Sequence, residues 1–324
     1  YKRQLIAQYM KRSLTDYLII SLKGMAMGAA DVVPGVSGGT IAFISGIYEE
    51  LIESLNNINS SIFNEFRSKG IKYTWEKLNG SFLLALMSGV LISILSLAKG
   101  VEWLLEHHPI RLWAFFFGLV AASIVYISKQ IKATLWDLAG LKVFLAITIG
   151  GSIAYFITIL NPIESSDSNL FLFFAGALAI CAMILPGISG AFILLVIGAY
   201  GPVLEAISNR DIKTILIIGT GAIVGLLSFS KLLKWLFRSY NQLTLGVLTG
   251  FMIGSLNKIW PWKVVLTYRI NSKGEEIPLN EESISPFNYA GDSQFIQAIS
   301  LMLIGFFIIL FLENIGNKTN IVDK

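Results

Sequence analysis

The chain has 324 residues, 54% of them hydrophobic and only 14% charged, with a mean hydropathy of +0.68. A soluble domain carries roughly 25% charged residues, so a large soluble enzyme domain is excluded and an all-α integral membrane protein is expected. The net charge of +4 is modest, and its distribution among loops carries more information than its sum.

Residues 1–13 contain Lys2, Arg3, Lys11 and Arg12. They have the charge of a signal n-region but no small-residue cleavage site after a short apolar core, which predicts a retained cytoplasmic N-terminal segment. Apolar runs then recur near 14–33, 36–48, 82–99, 110–127, 141–160, 170–185, 188–204, 214–236, 243–260 and 295–312. Near-continuous runs of this length point to helices rather than to the short alternating strands of a barrel.

The runs fall into two fives, which predicts a repeat over 14–162 and another over 163–324. A shift of 152 lays Pro34, Gly35, Ser37, Gly38, Ile41, Gly46, Tyr48 and Glu53 on Pro186, Gly187, Ser189, Gly190, Ile193, Gly198, Tyr200 and Glu205. A shift of 132 lays Gly89, Ser96, Lys99, Trp103 and Gly118 on Gly221, Ser228, Lys231, Trp235 and Gly250. The difference between the shifts is read as a longer loop near 56–80 in the first half. Shared polar, glycine, proline and tryptophan positions exceed what common hydropathy produces.

The second run of each half is short. Thirteen residues separate Gly35 from Glu49, and thirteen separate Gly187 from Gly201; at ~1.5 Å per residue that is ~20 Å, less than a ~30 Å hydrocarbon core. Each half is therefore expected to hold a re-entrant helical hairpin (14–55 and 170–207) and three transmembrane helices (82–99, 110–127, 141–160 and 214–236, 243–260, 295–312). An odd number of crossings leaves the halves in inverted topology. With both termini cytoplasmic, the inner segments carry 16 Lys and Arg and the outer ones 8, in keeping with the positive-inside rule. Within the outer loop 263–294, the stretch 263–280 reads as a β-hairpin turning at Asn271-Ser272-Lys273-Gly274.

Chemistry concentrates at the hairpin turns, Pro34-Gly35-Val36-Ser37-Gly38-Gly39-Thr40 and Pro186-Gly187-Ile188-Ser189-Gly190. A broken helix inside a membrane must be packed in protein or line a wet cavity. Proline leaves no orphan N–H, glycine allows positive φ, and Ser37 and Ser189 are placed to cap the helices that follow. Free backbone donors at such helix starts suit a phosphate or carboxylate; close-packing kinks are the competing reading. Two turns in inverted halves favour a substrate site.

Lys23, Asp31, Glu49, Glu50, Glu53 and Glu205 lie in or beside the hairpins, where ionisable groups are candidates for charge balance or proton coupling. Lys23 and Asp31 have no counterpart in the second half, where Ala175 and Met183 stand. Glu49 to Glu53 fit a solvated helix end equally well. Lys99-Trp103 and Lys231-Trp235 fit interfacial anchors or headgroup steering. His107-His108 reads as an exposed pair, and the single cysteine, Cys181, excludes an intrachain disulfide and a cysteine-based zinc site. No catalytic residue, metal or cofactor is expected.

The stretch DVVPGVSGGT, 31–40, and its echo ILPGISGAF, 184–192, closely resemble the bacterial polyprenyl-phosphate transporter family, a likeness covering about residues 14–312. That resemblance implies a multi-pass inner-membrane protein returning undecaprenyl phosphate across the bilayer for cell-envelope glycan synthesis, its partners being the lipid and the bilayer, without nucleic acid. The oligomeric state stays open. Membrane polyprenyl-diphosphate phosphatases share a Pro-Gly-x-Ser turn but continue with Arg-Ser, where this chain has Gly38-Gly39 and Gly190-Ala191. Without a cation at the turn or an activated nucleophile, hydrolysis lacks support. An anion channel, the third alternative, needs a polar pore that no segment displays.

Overall fold

The computed structural model describes residues 12–33, 36–59, 61–132, 137–163, 166, 168–270 and 276–322. Pro34, Gly35 and the expected turn 271–274 lie outside them. The described chain is mostly helical, with four helices long and apolar enough to cross a membrane, or five if one bent pair counts as a span.

In chain order the helices are α1 (Leu14–Val32), α2 (Gly38–Ile44), α3 (Tyr48–Asn56), α4 (Ser61–Lys77), α5 (Gly80–His107), α6 (Pro109–Ser128) and α7 (Leu138–Ile159). They continue with α8 (Asn169–Ile184), α9 (Gly190–Val196), α10 (Tyr200–Ser208), α11 (Ile212–Ser239), α12 (Asn241–Ser255) and α13 (Phe295–Val322). An antiparallel pair, β1 (Lys263–Ile270) and β2 (Glu276–Ser283), lies between the last two helices.

Local chemistry sets the helix starts. Ser13 and Asp16 form a reciprocal capping box at α1, and Asp137, Ser168 and Asp211 accept backbone N–H bonds at α7, α8 and α11. Each cap satisfies donors that the first helical turn cannot. Polar residues at the margins of apolar runs thus fix where those helices begin.

The expected long loop near 56–80 is instead largely helical. It forms α4, kinked where Gly70 takes φ 79°. Polar residues dominate it, so a search for apolar runs misses it; Lys77 pairs with Glu65 across its turns. Helix α5 also continues past the expected 99 to His107, whose ring nitrogen contacts the carbonyl of Trp103.

The helices associate in related pairs. Helix α1 packs along α5, as α8 does along α11, while α6 pairs with α13 and α7 with α12. Small residues allow the close approach: a methyl group at Gly24 would strike the carbonyl of Leu86, and one at Gly176, its position in the second half, the carbonyl of Ile218. Association in lipid depends on such packing because burial between helices displaces only lipid tails.

Backbone geometry recurs at the same offsets. Gly46 (φ 73°) and Gly198 (φ 76°) break α2 from α3 and α9 from α10, with Ile47 N–H bonding to Ala42 O just as Ala199 N–H bonds to Leu194 O. A left-handed residue closing a helix is cheap only for glycine. The α9–α10 pair is bent by 110°.

Two ends of the bundle follow. At one end, Arg12 forms a two-pronged ion pair with Glu50 (2.6 and 2.8 Å), and Asn79 also donates to that carboxylate. At the other, the segments flanking β1 and β2 sit near the start of α6 and α13: Trp262 donates to Ser293 O and Trp260 to Ile284 O, both at 2.8 Å. Trp262 packs in a cluster with Ile110, Ala114 and Ala298.

Candidate anion site at the paired turns

The two turns touch. Thr40 Oγ1 accepts a hydrogen bond from Gly187 N–H at 2.9 Å, and Ser37 Oγ lies 3.2 Å from the carbonyl oxygens of both Met183 and Leu185. A Cβ at Gly39 would fall 2.6 Å from Ile184 O. Glycine is required there by the neighbouring half of the molecule. Val36 and Ser37 are almost wholly buried, as are Thr40 and Pro186.

The interiors of the turns differ. In the first, Gly38 N–H donates to Asp31 Oδ1 at 2.7 Å and Gly39 N–H to Ser37 Oγ at 3.1 Å. The backbone donors expected to meet an external anion are thus held by the chain's own carboxylate and hydroxyl. Asp31 reaches them because α1 ends before the turn and α2 folds back beside it. Lys23 points elsewhere, donating to Ser45 O at 2.7 Å and so tying α1 to the end of α2.

In the second turn no acid stands at the position of Asp31; Met183 does. Ser189 starts α9 in extended geometry but makes no capping hydrogen bond, and among the described residues its hydroxyl has no partner. Gly187 takes φ 91°, where a Cβ would also approach Ser255 Oγ to 2.9 Å. A side chain at Gly190 would meet Ala179 O at 2.6 Å. A small pocket opens beside this turn, lined by Gly187, Ser189, Phe192, Thr158, Ser255 and Lys258 among others.

Nothing in the sequence marks Lys258, Ser255 or Thr158 as site residues, because each comes from a segment remote from the turn. The ammonium of Lys258 stands 4.8 Å from the centre of the Phe192 ring and 3.3 Å from Glu281 Oε2. Lys263 shares the same carboxylate oxygen at 3.4 Å, donates to Lys258 O at 2.8 Å and lies over the Trp113 ring at 4.2 Å. Burial pushes the Lys263 ammonium down to about 8 against the pull of Glu281. Burial also pushes the Glu281 carboxyl up, but the two lysines outweigh it and hold it below the usual carboxylate range. Two ammonium groups sharing one carboxylate leave excess positive charge on this face.

The remaining acidic candidates do not enter the turns. Glu49 and Glu205 are exposed. Glu53 lies 3.5 Å from Lys234 and 3.8 Å from Arg238 at the end of α11, while Glu50 is only 9% exposed and is held by Arg12. No cluster of three or more metal-ligating side chains occurs among the described residues.

Residues 27–277 match the model of the undecaprenyl phosphate translocase-like family. The chain is 47% identical over 307 residues to the polyprenyl-phosphate transporter of Vibrio cholerae serotype O1, covering 94% of this chain and 98% of that protein. It is 34% identical over 257 residues to the polyprenyl-phosphate transporter of Staphylococcus aureus, covering 74% and 85%. No solved structure matches.

Proposed function

We propose that this chain, which belongs to the undecaprenyl phosphate translocase-like family, moves undecaprenyl phosphate or a related polyprenyl monophosphate between the leaflets of the bacterial inner membrane for envelope glycan synthesis. The observation that carries the reading is 47% identity over 94% of the chain to a protein named for that transport. The physical task is to take a phosphate charge through hydrocarbon while the prenyl tail stays in lipid. An ionised group alone there is too costly to cross unaided.

The phosphate passes between the two turns, with Pro34 to Thr40 on one side and Pro186, Gly187, Ser189 and Gly190 on the other. Contact between Thr40 and Gly187 supports one shared path rather than two remote sites. Lys23 and Asp31 balance charge within the first hairpin, and the candidates for proton coupling, Glu49, Glu53 and Glu205, lie outside the turns on α3 and α10.

Inverted repeats with re-entrant hairpins provide the movement: one half rocks against the other, exposing the turns to each face in turn. Matched helix pairs and matched left-handed glycines support that architecture. Both termini lie in the cytoplasm on this reading, supported by the excess of Lys and Arg in the segments assigned to that side. The carrier reading over a hydrolase is supported by relatives named as transporters and by Gly38-Gly39 and Gly190-Ala191 standing where an arginine clamp would be needed. Lys258 supplies a cation at the second turn, with no activating base beside Ser189 among the described residues.

The test is leaflet exchange in liposomes. Purified chain should move labelled polyprenyl monophosphate from one leaflet to the other and release no inorganic phosphate from polyprenyl diphosphate. Equal exchange with and without the protein would defeat the reading, and sustained phosphate release would make it an enzyme.

A further inference from the structure

We infer that Lys258, with the Ser189 hydroxyl, binds the phosphate monoester headgroup in the second-turn pocket, and that the headgroup displaces Glu281 from the lysine. This deepens the transport reading and rests on it for the identity of the lipid.

Three independent features converge on this face. Ser189 and Lys258, from the turn before α9 and the segment after α12, line one small cavity of about 10 Å³, which the headgroup must widen to enter. Ser189 has an unused donor there among the described residues. Lys258 also lacks a carboxylate of its own, because Glu281 divides a single oxygen between Lys258 at 3.3 Å and Lys263 at 3.4 Å.

Both ion-pair distances are longer than the roughly 2.7–2.9 Å of a strong charge-assisted hydrogen bond. A phosphate with several acceptor oxygens makes stronger bonds to the same ammonium and can take the serine proton donor as well. Glu281 is carried by the strand pair that sits over this end of the bundle. When the headgroup takes Lys258, Glu281 keeps Lys263 as its partner, so the exchange leaves no carboxylate stranded. The Phe192 ring, 4.8 Å from the ammonium, gives the same cavity an apolar wall.

Equilibrium binding to the purified full chain tests this with three probes: a short-chain polyprenyl monophosphate, the corresponding alcohol and inorganic phosphate. Lys258→Gln should weaken the monophosphate about tenfold or more, the loss of one hydrogen bond to a charged group. Lys258→Arg should stay within about threefold, since the charge and donors remain. Glu281→Gln should tighten binding by removing the competing anion, and none of these changes should alter binding of the alcohol. Matching melting temperatures for Lys258→Arg and wild type keep the comparison interpretable if Lys258→Gln folds poorly.

If wild type binds and transports the lipid phosphate while Lys258→Gln and Glu281→Gln behave like wild type, the headgroup assignment falls and the transport reading stands. If inorganic phosphate binds in a Lys258-dependent way but the lipid is neither bound nor moved, the pocket stands and the lipid reading falls. Failure of wild type to bind either phosphate overturns the assignment.

Discussion

The two hairpin turns share a Pro-Gly-x-Ser-Gly sequence and yet are filled differently. The first is satisfied from within, with Asp31 on Gly38 N–H and Ser37 on Gly39 N–H. The second has Met183 in place of that carboxylate, an uncapped Ser189 and a lysine brought in from beyond α12. The same motif is therefore satisfied from within in one half and leaves a serine hydroxyl without a partner among the described residues in the other. The residue three positions before the proline, Asp31 or Met183, accompanies that difference.

The arms leaving the turns differ in the same sense. Helix α3 is largely buried and packs against α11, with Glu50 and Glu53 in ion pairs with Arg12 and with Lys234 and Arg238. Helix α10 buries only Ala206, and its Glu205 is exposed. The end of the molecule around α3 is tied across both halves, while α10 is largely exposed. Ion pairs at that end differ in weight: the long, partly exposed contacts of Glu53 are worth under about 1 kcal/mol, whereas the part-buried Arg12–Glu50 pair is two-pronged and short.

The largest expected effect comes from making the second turn like the first. Met183→Asp places a carboxylate where it can meet Gly190, since a Cβ on that glycine would lie 3.3 Å from Met183 Cβ. The added anion should occupy the donors, repel the headgroup and reduce leaflet exchange about tenfold or more, with the protein still folded. Exchange at the wild-type rate would show that the second turn is not where the anion binds.

The converse change is smaller and reads stability. Asp31→Ala leaves Gly38 N–H without an acceptor in a buried turn and should cost about 1–3 kcal/mol, measured by denaturation in detergent. Asp31→Asn keeps an oxygen acceptor and should cost distinctly less. Equal losses for the two substitutions would mean that the charge, rather than the hydrogen bond, matters at the first turn, and would reopen a coupling role for Asp31.

Much of the architecture can be read from the chain because repeated apolar runs and matched glycines report directly on helices and breaks. Gly46 and Gly198 lie 152 residues apart and close their helices with the same positive φ. Helix α4 could not be read the same way, being too polar to register among apolar runs. At the site, the turns are legible since Pro, Gly and Ser mark them, but their occupants are not. Asp31 caps Gly38 only through the fold-back of α2 against α1. Lys258 lines one cavity with Ser189 only because the end of α12 and the start of α9 are brought together, a tertiary meeting that no local spacing records.

The central claim, that a phosphate passing between the turns is gripped by the second and only bordered by the first, is tested most directly by a structure of the full chain with polyprenyl monophosphate bound. The phosphate oxygens should lie about 3 Å from Lys258 Nζ and Ser189 Oγ, with Asp31 still on Gly38 N–H. A phosphate seated at Ser37 and Lys23, with Asp31 swung away and the Lys258 pocket unchanged, would contradict it.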